Sequence, residues 1–321
     1  MNNRIVGIDA WRGMVLAIMG VAVHAASHFP DRAWAISVQL LSYTFRMEAF
    51  FAIAGFLAFL TQARPKWIKR RTVQLMVPFI VVAITFLPAV HASDLRHLWF
   101  LPVLMACAFL PKRPLPIAPL IIAVPIMKLL AVAIADQYPL PYGILNLFTA
   151  FLYFSLFYLI GQWIARTRPS FDRRYAYAAV AVLITWMVVS IIFPDIFHGQ
   201  GRPILLKVTI STAQPIIALI VTFGIFSHAL TVRAIHWPMP QLSKSAYTIY
   251  LLHYPAIEAL FALLRTVIGS DIYLFLTIIV CAMSLTLAIH FWIVERFAVM
   301  ALLLNGRVSK SSMPALARSL T

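Results

Sequence analysis

The chain has 321 residues, of which 62% are hydrophobic and only 11% charged, against roughly 25% charged in a soluble domain, and its mean hydropathy is +0.90. Water is excluded as the solvent for most of its surface, and no stretch is left over for a separate soluble domain. The formal charge of +16 would suit a nucleic-acid binder, but the cations sit in loops flanking apolar runs, where membrane orientation and anionic lipid headgroups account for them; nucleic acid is not an expected partner, and membrane lipid is.

Cut at charged and Pro/Gly clusters, the apolar stretches fall near 8–29, 36–62, 72–90, 97–111, 115–135, 144–165, 175–194, 204–229, 244–268 and 272–303. A spanning helix needs about 20 apolar residues at 1.5 Å rise each. The ten stretches therefore predict an all-α, polytopic transmembrane bundle, a single domain over residues 1–321 with a tail at 304–321. The first could pass for a signal peptide with a cleavage site near Val23-His24-Ala25, but the polar Asp9 and Arg12 at its mouth and the even span count favour a retained helix. The fourth is short for a span and suits a tilted or partly submerged helix. The tenth is long and reads as a span with an interfacial extension. Cys107 and Cys281 fall inside apolar stretches without metal-ligand spacing and read as packing residues; no metal site is expected. No internal repeat or Gly-rich phosphate loop is visible.

Alternate loops differ sharply in Lys and Arg. One set holds Arg64, Lys66, Lys69, Arg70, Arg71, Lys112, Arg113, Arg166, Arg168, Arg173, Arg174, Arg233 and Lys244, and the termini add Arg4, Arg307, Lys310 and Arg318; the opposite set holds little beyond Arg32, Arg96, Arg202, Lys207 and Arg265. The excess of cations marks the cytoplasmic side, so both termini and the Arg64–Arg71 loop are expected there.

Ionisable residues at bilayer depth cost a few kcal/mol each and usually face the bundle interior. Asp9 and Arg12 stand at the cytoplasmic mouth of the first helix, where they suit an i,i+3 pair. His24 lies twelve residues further, about 18 Å along the axis and in the outer half. Arg46 and Glu48 reach mid-depth in the second helix, either as a structural ion pair or as part of a site. His24 and Glu48 are expected to meet. An imidazole beside a buried carboxylate is what general-base chemistry needs, although His24 could equally hydrogen-bond a backbone carbonyl between helices. The run Arg64–Arg71 carries five cations and Trp67, either as a headgroup anchor or as a dock for a phosphate-rich cofactor. His97 and Trp99 open the fourth helix at the outer face, where interfacial anchoring and contact with an acceptor sugar are both open. His253, in the ninth, suits structural hydrogen bonding.

Several of these segments together resemble the membrane-bound acyltransferase family 3. Gly7-Ile8-Asp9-Ala10-Trp11-Arg12-Gly13 ending in His24 is similar to that family's first helix, and Met47-Glu48-Ala49-Phe50-Phe51-Ala52-Ile53-Ala54-Gly55-Phe56 to its second. The basic loop into Gln74-Leu75-Met76-Val77-Pro78 resembles its Arg-rich approach to the third helix. The segments 242–255 and Val294-Glu295-Arg296 complete the order, and His97-Leu98-Trp99-Phe100-Leu101 resembles the branch that succinylates periplasmic glucans.

The resemblance implies an acyltransferase of a bacterial-type cytoplasmic (inner) membrane, with acyl-coenzyme A as the cytoplasmic donor and a hydroxyl of an envelope or lipid-linked carbohydrate as acceptor. Position by position, His24 matches the essential histidine, Glu48 the acidic residue and Arg12 the preceding arginine, while Arg70 and Arg71 match the first part of the two-arginine motif. The donor is then expected on Arg12, Arg70, Arg71 and Gln74, and the acceptor near Arg46, His97, Trp99 and His253. Three departures stand out. Eleven residues separate Arg12 from His24 where ten are usual, which rotates an ideal helix by about 100° unless a bulge absorbs the extra residue. Gln74 replaces the second arginine of the motif, keeping hydrogen-bonding capacity but losing charge. Ala54 stands where serine is usual. The rival classes are a transporter of the donor or of a sugar-lipid, and a catalytically silent envelope-assembly protein.

Overall fold

The computed structural model describes residues 6–13, 17–61, 66–86, 98–111, 115–137, 144–193, 204–231 and 239–307. They form twelve α-helices: α1 Val6–Gly13, α2 Met19–Ala26, α3 Ala33–Thr61, α4 Trp67–Phe86, α5 Phe100–Ala108, α6 Ile117–Gln137, α7 Ile144–Thr167, α8 Arg173–Ile192, α9 Ile204–Thr231, α10 Met239–Leu264, α11 Asp271–Ile289 and α12 Ala298–Asn305. A π-helical turn, His290–Val294, continues α11. Among the described residues there is no strand, and the all-α expectation holds.

Six helices are long and apolar enough to cross a membrane: Ala33–Thr61, Leu147–Thr167, Arg173–Ile192, Val208–Thr231, Leu242–Leu264 and Asp271–Val294. Their outward surfaces are apolar, as lipid requires. On α11 the stripe Ile272, Leu276 and Val280 is exposed at i, i+4, i+8 spacing. Hydroxyls inside the bundle fold back onto their own helix: Thr44 donates to Leu40 O and Thr286 to Ala282 O, both at 2.7 Å. The short fourth stretch contains a nine-residue helix, α5, about 13 Å long, and it is packed inside the protein: Leu101, Val103, Leu104 and Cys107 are all buried.

The centre is α3, which packs on α7 most extensively and also on α2, α8 and α9. At the α3–α7 crossing the backbones touch. A Cβ on Gly55 would overlap Tyr158 O, and one on Gly161 would overlap Ala52 O. Small residues let membrane helices approach this closely, which is where their packing energy arises. Around the crossing lie Phe51, Phe56, Phe157 and Tyr158, all fully buried. At the far end of the bundle, Arg32 Nη2 meets Asp271 Oδ2 at 2.6 Å and His28 Nε2 meets Glu258 Oε1 at 3.3 Å, tying the α2–α3 turn to α10 and α11.

Two details bear on the site. Ala17 and Ile18 are π-helical, the wider turn that accommodates one inserted residue, between Arg12 and His24 where the extra residue falls. The chain also bends back after the π turn, so that α12 packs on α4. Asn305 is buried, and a Cβ on Gly306 would overlap the Gln74 backbone. Of the expected 304–321 tail, residues 304–307 pack on the folded body, because the left-handed Gly306 (φ 57°) turns the helix end against α4, and 308–321 lie outside the described residues.

Candidate active site

At the end of the bundle where α1 begins, a cavity of ≈ 120 Å³ is lined by α1, α3, α4, α5, α10 and the segment after α12. Its cations are Arg12, Arg71, Lys244 and Arg307, its neutral polar groups include Gln74, Ser243, Tyr247 and Asn305, and no carboxylate appears among the described lining residues. Phe50, Leu75, Phe100 and Leu104 supply an apolar wall.

Two of the cations are held by their neighbours. Arg12 Nη2 donates to Ser243 O at 3.1 Å and to Ser243 Oγ at 3.3 Å, with Asp9 Oδ1 at 3.8 Å. The pair Asp9–Arg12 thus has the expected i,i+3 geometry, but the guanidinium also pins α1 to α10. Arg71 Nη1 donates to Gln74 Oε1 at 3.2 Å across one turn of α4. Tyr247 Oη donates to Leu75 O at 3.3 Å and bridges α10 to α4.

Beyond the cavity stands a second polar cluster. The ring centroids of His24 and His253 are 5.0 Å apart, and Tyr254 packs edge-on against His24 at 5.4 Å. His253 Nδ1 lies 2.7 Å from Tyr250 O and 3.0 Å from Ile249 O. A carbonyl only accepts, so Nδ1 carries the proton and Nε2 presents its lone pair. Gly20 leaves the space this cluster occupies: from the point where its Cβ would sit, Arg46 Nη1 is 3.5 Å away and His253 Nε2 3.9 Å. His24 is one turn further along the same face of α2. Arg46 is buried, and its Nε has no hydrogen-bond partner among the described residues.

The two halves adjoin. Tyr250 lines the cavity, and its ring lies 5.6 Å from that of His253, one turn along α10. Phe50 lines the cavity too and stands one turn from Arg46 on the same face of α3. From Ser243 to His253 the α10 axis advances about 15 Å.

The expected meeting of His24 and Glu48 is not what the structure contains. Tyr153 Oη on α7 donates to Glu48 Oε1 at 3.1 Å, and Lys128 Nζ lies 5.2 Å from the centre of the Tyr153 ring. Arg46 and Glu48 are two residues apart, about 200° around the helix, so only one can face α2. That one is Arg46. Arg70 is exposed and does not line the cavity, whereas Arg71 does. Trp99 is half-buried and packs on Phe154 at 5.2 Å. His97 and Arg64 lie outside the described residues. Cys107 and Cys281 are free thiols in helices, and no group of three or more potential metal ligands occurs among the described residues.

Sequence reasoning missed Ser243, Lys244, Tyr247 and Tyr250 as a lining, although Ser243, Tyr247 and Tyr250 at i, i+4, i+7 fall on one helix face. It also missed Asn305 and Arg307. Their signal was the Asn-Gly pair ending the last apolar run, a helix stop after which the chain can turn back.

Apolar spans around a cationic cavity, with a histidine cluster beyond it, define a multi-pass membrane protein with a buried polar site. The family model described as "Acyltransferase domain" matches residues 5–295, and the chain belongs to that family, membrane acyltransferase family 3, and is an acyltransferase. No curated protein and no solved structure matches it.

Proposed function

We propose that the protein moves an acyl group from acyl-coenzyme A, bound at the cationic cavity from the cytoplasmic side, to a hydroxyl of an envelope carbohydrate, with His24 as general base. The observation that carries this is the adjacency of the two halves: Tyr250 and Phe50 form cavity wall and each lies one turn from the His253–Arg46–His24 cluster. Phosphate groups suit Arg12, Arg71 and Lys244, since guanidinium and ammonium donors make charge-assisted hydrogen bonds to phosphate. An extended acyl-pantetheine arm then runs past Tyr250 toward His24. The excess of Lys and Arg in the loops on the Arg71 side would place both chain ends and the cavity in the cytoplasm of a bacterial-type inner membrane, with the acceptor arriving from the outer face.

In the chemical step His24 takes the proton of the acceptor hydroxyl as its oxygen attacks the thioester carbonyl. The Arg46 guanidinium, in reach of the same space, donates to the oxyanion. The C–S bond breaks as the C–O ester bond forms, and the thiolate takes the proton from His24. His253 Nε2 stands where it orients the His24 ring, the task expected of Glu48; it is a positioning residue in this scheme. Acetyl and succinyl groups are both within the donor class the cavity would take.

Purified protein in proteoliposomes, given radiolabelled acyl-coenzyme A outside and a glycan acceptor inside, tests the reading. Label on the sugar is expected. Intact donor recovered inside the liposomes, with no acylated sugar, would instead make the protein a carrier.

A further inference from the structure

We propose that Asn305 and Arg307, at the end of the folded body, form the second wall of an anion site in the cavity and bind a phosphate group of its ligand directly. Both residues lie beyond the stretch 5–295 that the family model matches. The identity of the ligand rests on the donor reading above; the anion chemistry does not.

Asn305 is 2% exposed and lines the cavity. Its Oδ1 accepts from the Thr248 hydroxyl at 3.1 Å, while its Nδ2 has no hydrogen-bond partner among the described residues. A buried amide donor left without an acceptor is unfavourable, so a ligand atom or water that completes it is favoured at this position. The donor belongs to a cavity whose described charged groups are all cations, and an oxyanion is the ligand that satisfies both.

The amide is held in place from behind. The single Thr248 proton goes to Asn305, so the 2.9 Å contact between Thr248 Oγ1 and His290 Nδ1 has the imidazole as donor. His290 is fully buried in the π turn, and its Nε2 lies 3.5 Å from Glu295 Oε1. The chain His290, Thr248, Asn305 therefore fixes the amide oxygen on Thr248 and leaves the NH₂ side of the amide for the cavity.

Arg307 arrives by a different device. Gly306 is left-handed and abuts the Gln74 backbone so closely that no Cβ fits, and Arg307 N bonds back to Ala301 O at 3.0 Å. The next residue is thereby delivered into the cavity lining beside Gln74, whose own side-chain oxygen is engaged by Arg71. Gln74 brings no charge to this wall, and Arg307 brings one from another helix.

The test is binding of coenzyme A and, separately, inorganic pyrophosphate to the full-length protein in phosphatidylcholine nanodiscs, for wild type, R71A, R307Q, N305A, N305D, T248V and T248S. R307Q alters an exposed side chain, so it keeps the test alive if the buried variants fail to fold. Expected are five- to twentyfold weaker binding of both probes in R307Q and N305A, a larger loss in N305D, where an acceptor faces the anion, and recovery in T248S of what T248V loses. Pyrophosphate binding that weakens in these variants without any coenzyme A binding keeps the anion wall and overturns the donor reading. Competition by added phosphatidylglycerol would keep the wall and make a lipid headgroup the phosphate source. Coenzyme A binding that R71A weakens about tenfold while R307Q and N305D stay within twofold of wild type overturns the wall and leaves the donor reading standing. Binding of neither overturns both.

Discussion

The two faces of α3 carry ionisable groups equally buried and two residues apart, and they do different things. Arg46 looks toward α2 and α10, where Gly20 has left room and two histidines gather. Glu48 looks toward α7, where Tyr153 already donates to it. On the first face Arg46 lies against the histidine cluster, one turn from the cavity wall at Phe50; on the second Glu48 joins a helix pair whose backbones touch at Gly55 and Gly161. Burial of charge in a membrane protein thus does not by itself separate a group beside a ligand site from one that joins two helices.

Substitutions break or sharpen this contrast. His24→Ala removes the proposed general base and should lower acyl transfer about 10²–10⁴-fold with an unchanged melting profile, as read by label transfer and by thermal unfolding in detergent. Arg46→Met, of similar volume, should cost about 10²-fold in kcat if its guanidinium steadies the oxyanion, with little change in the KM for the donor. Glu48→Gln keeps the acceptor for Tyr153 and should lower turnover less than about tenfold, far below the base-removal range; a loss as large as that of His24→Ala would move Glu48 to the reacting side. Tyr153→Phe should leave turnover unaltered and cost about 1 kcal/mol of stability, since it deletes one interhelical hydrogen bond.

Much of this was legible in the chain. Unbroken apolar runs placed the helices, because lipid forbids any other secondary structure between charged loops, and the eleven-residue gap from Arg12 to His24 pointed to a bulge near the π-helical Ala17 and Ile18. Arg12, Arg71 and Gln74, grouped from a resemblance alone, line one cavity. What stayed hidden was rotation. The phase of α3 about its own axis decides whether Arg46 or Glu48 meets His24, and a helix apolar on nearly every side gives no moment from which to read it. The return of α12 onto α4 was hidden for another reason: it depends on one left-handed glycine and on the small gap beside Gln74, which no periodicity records.

The most direct measurement pairs donor affinity with transfer in two variants, His24→Ala and Arg71→Ala, using labelled acyl-coenzyme A and the purified full-length protein. If the cavity holds the donor and the histidine cluster performs the transfer, His24→Ala will bind the donor within about twofold of wild type and transfer nothing measurable, whereas Arg71→Ala will need about tenfold more donor yet approach wild-type turnover at saturation. Equal transfer in His24→Ala and wild type, or loss of donor binding in His24→Ala with none in Arg71→Ala, would contradict the division of the site into these two halves.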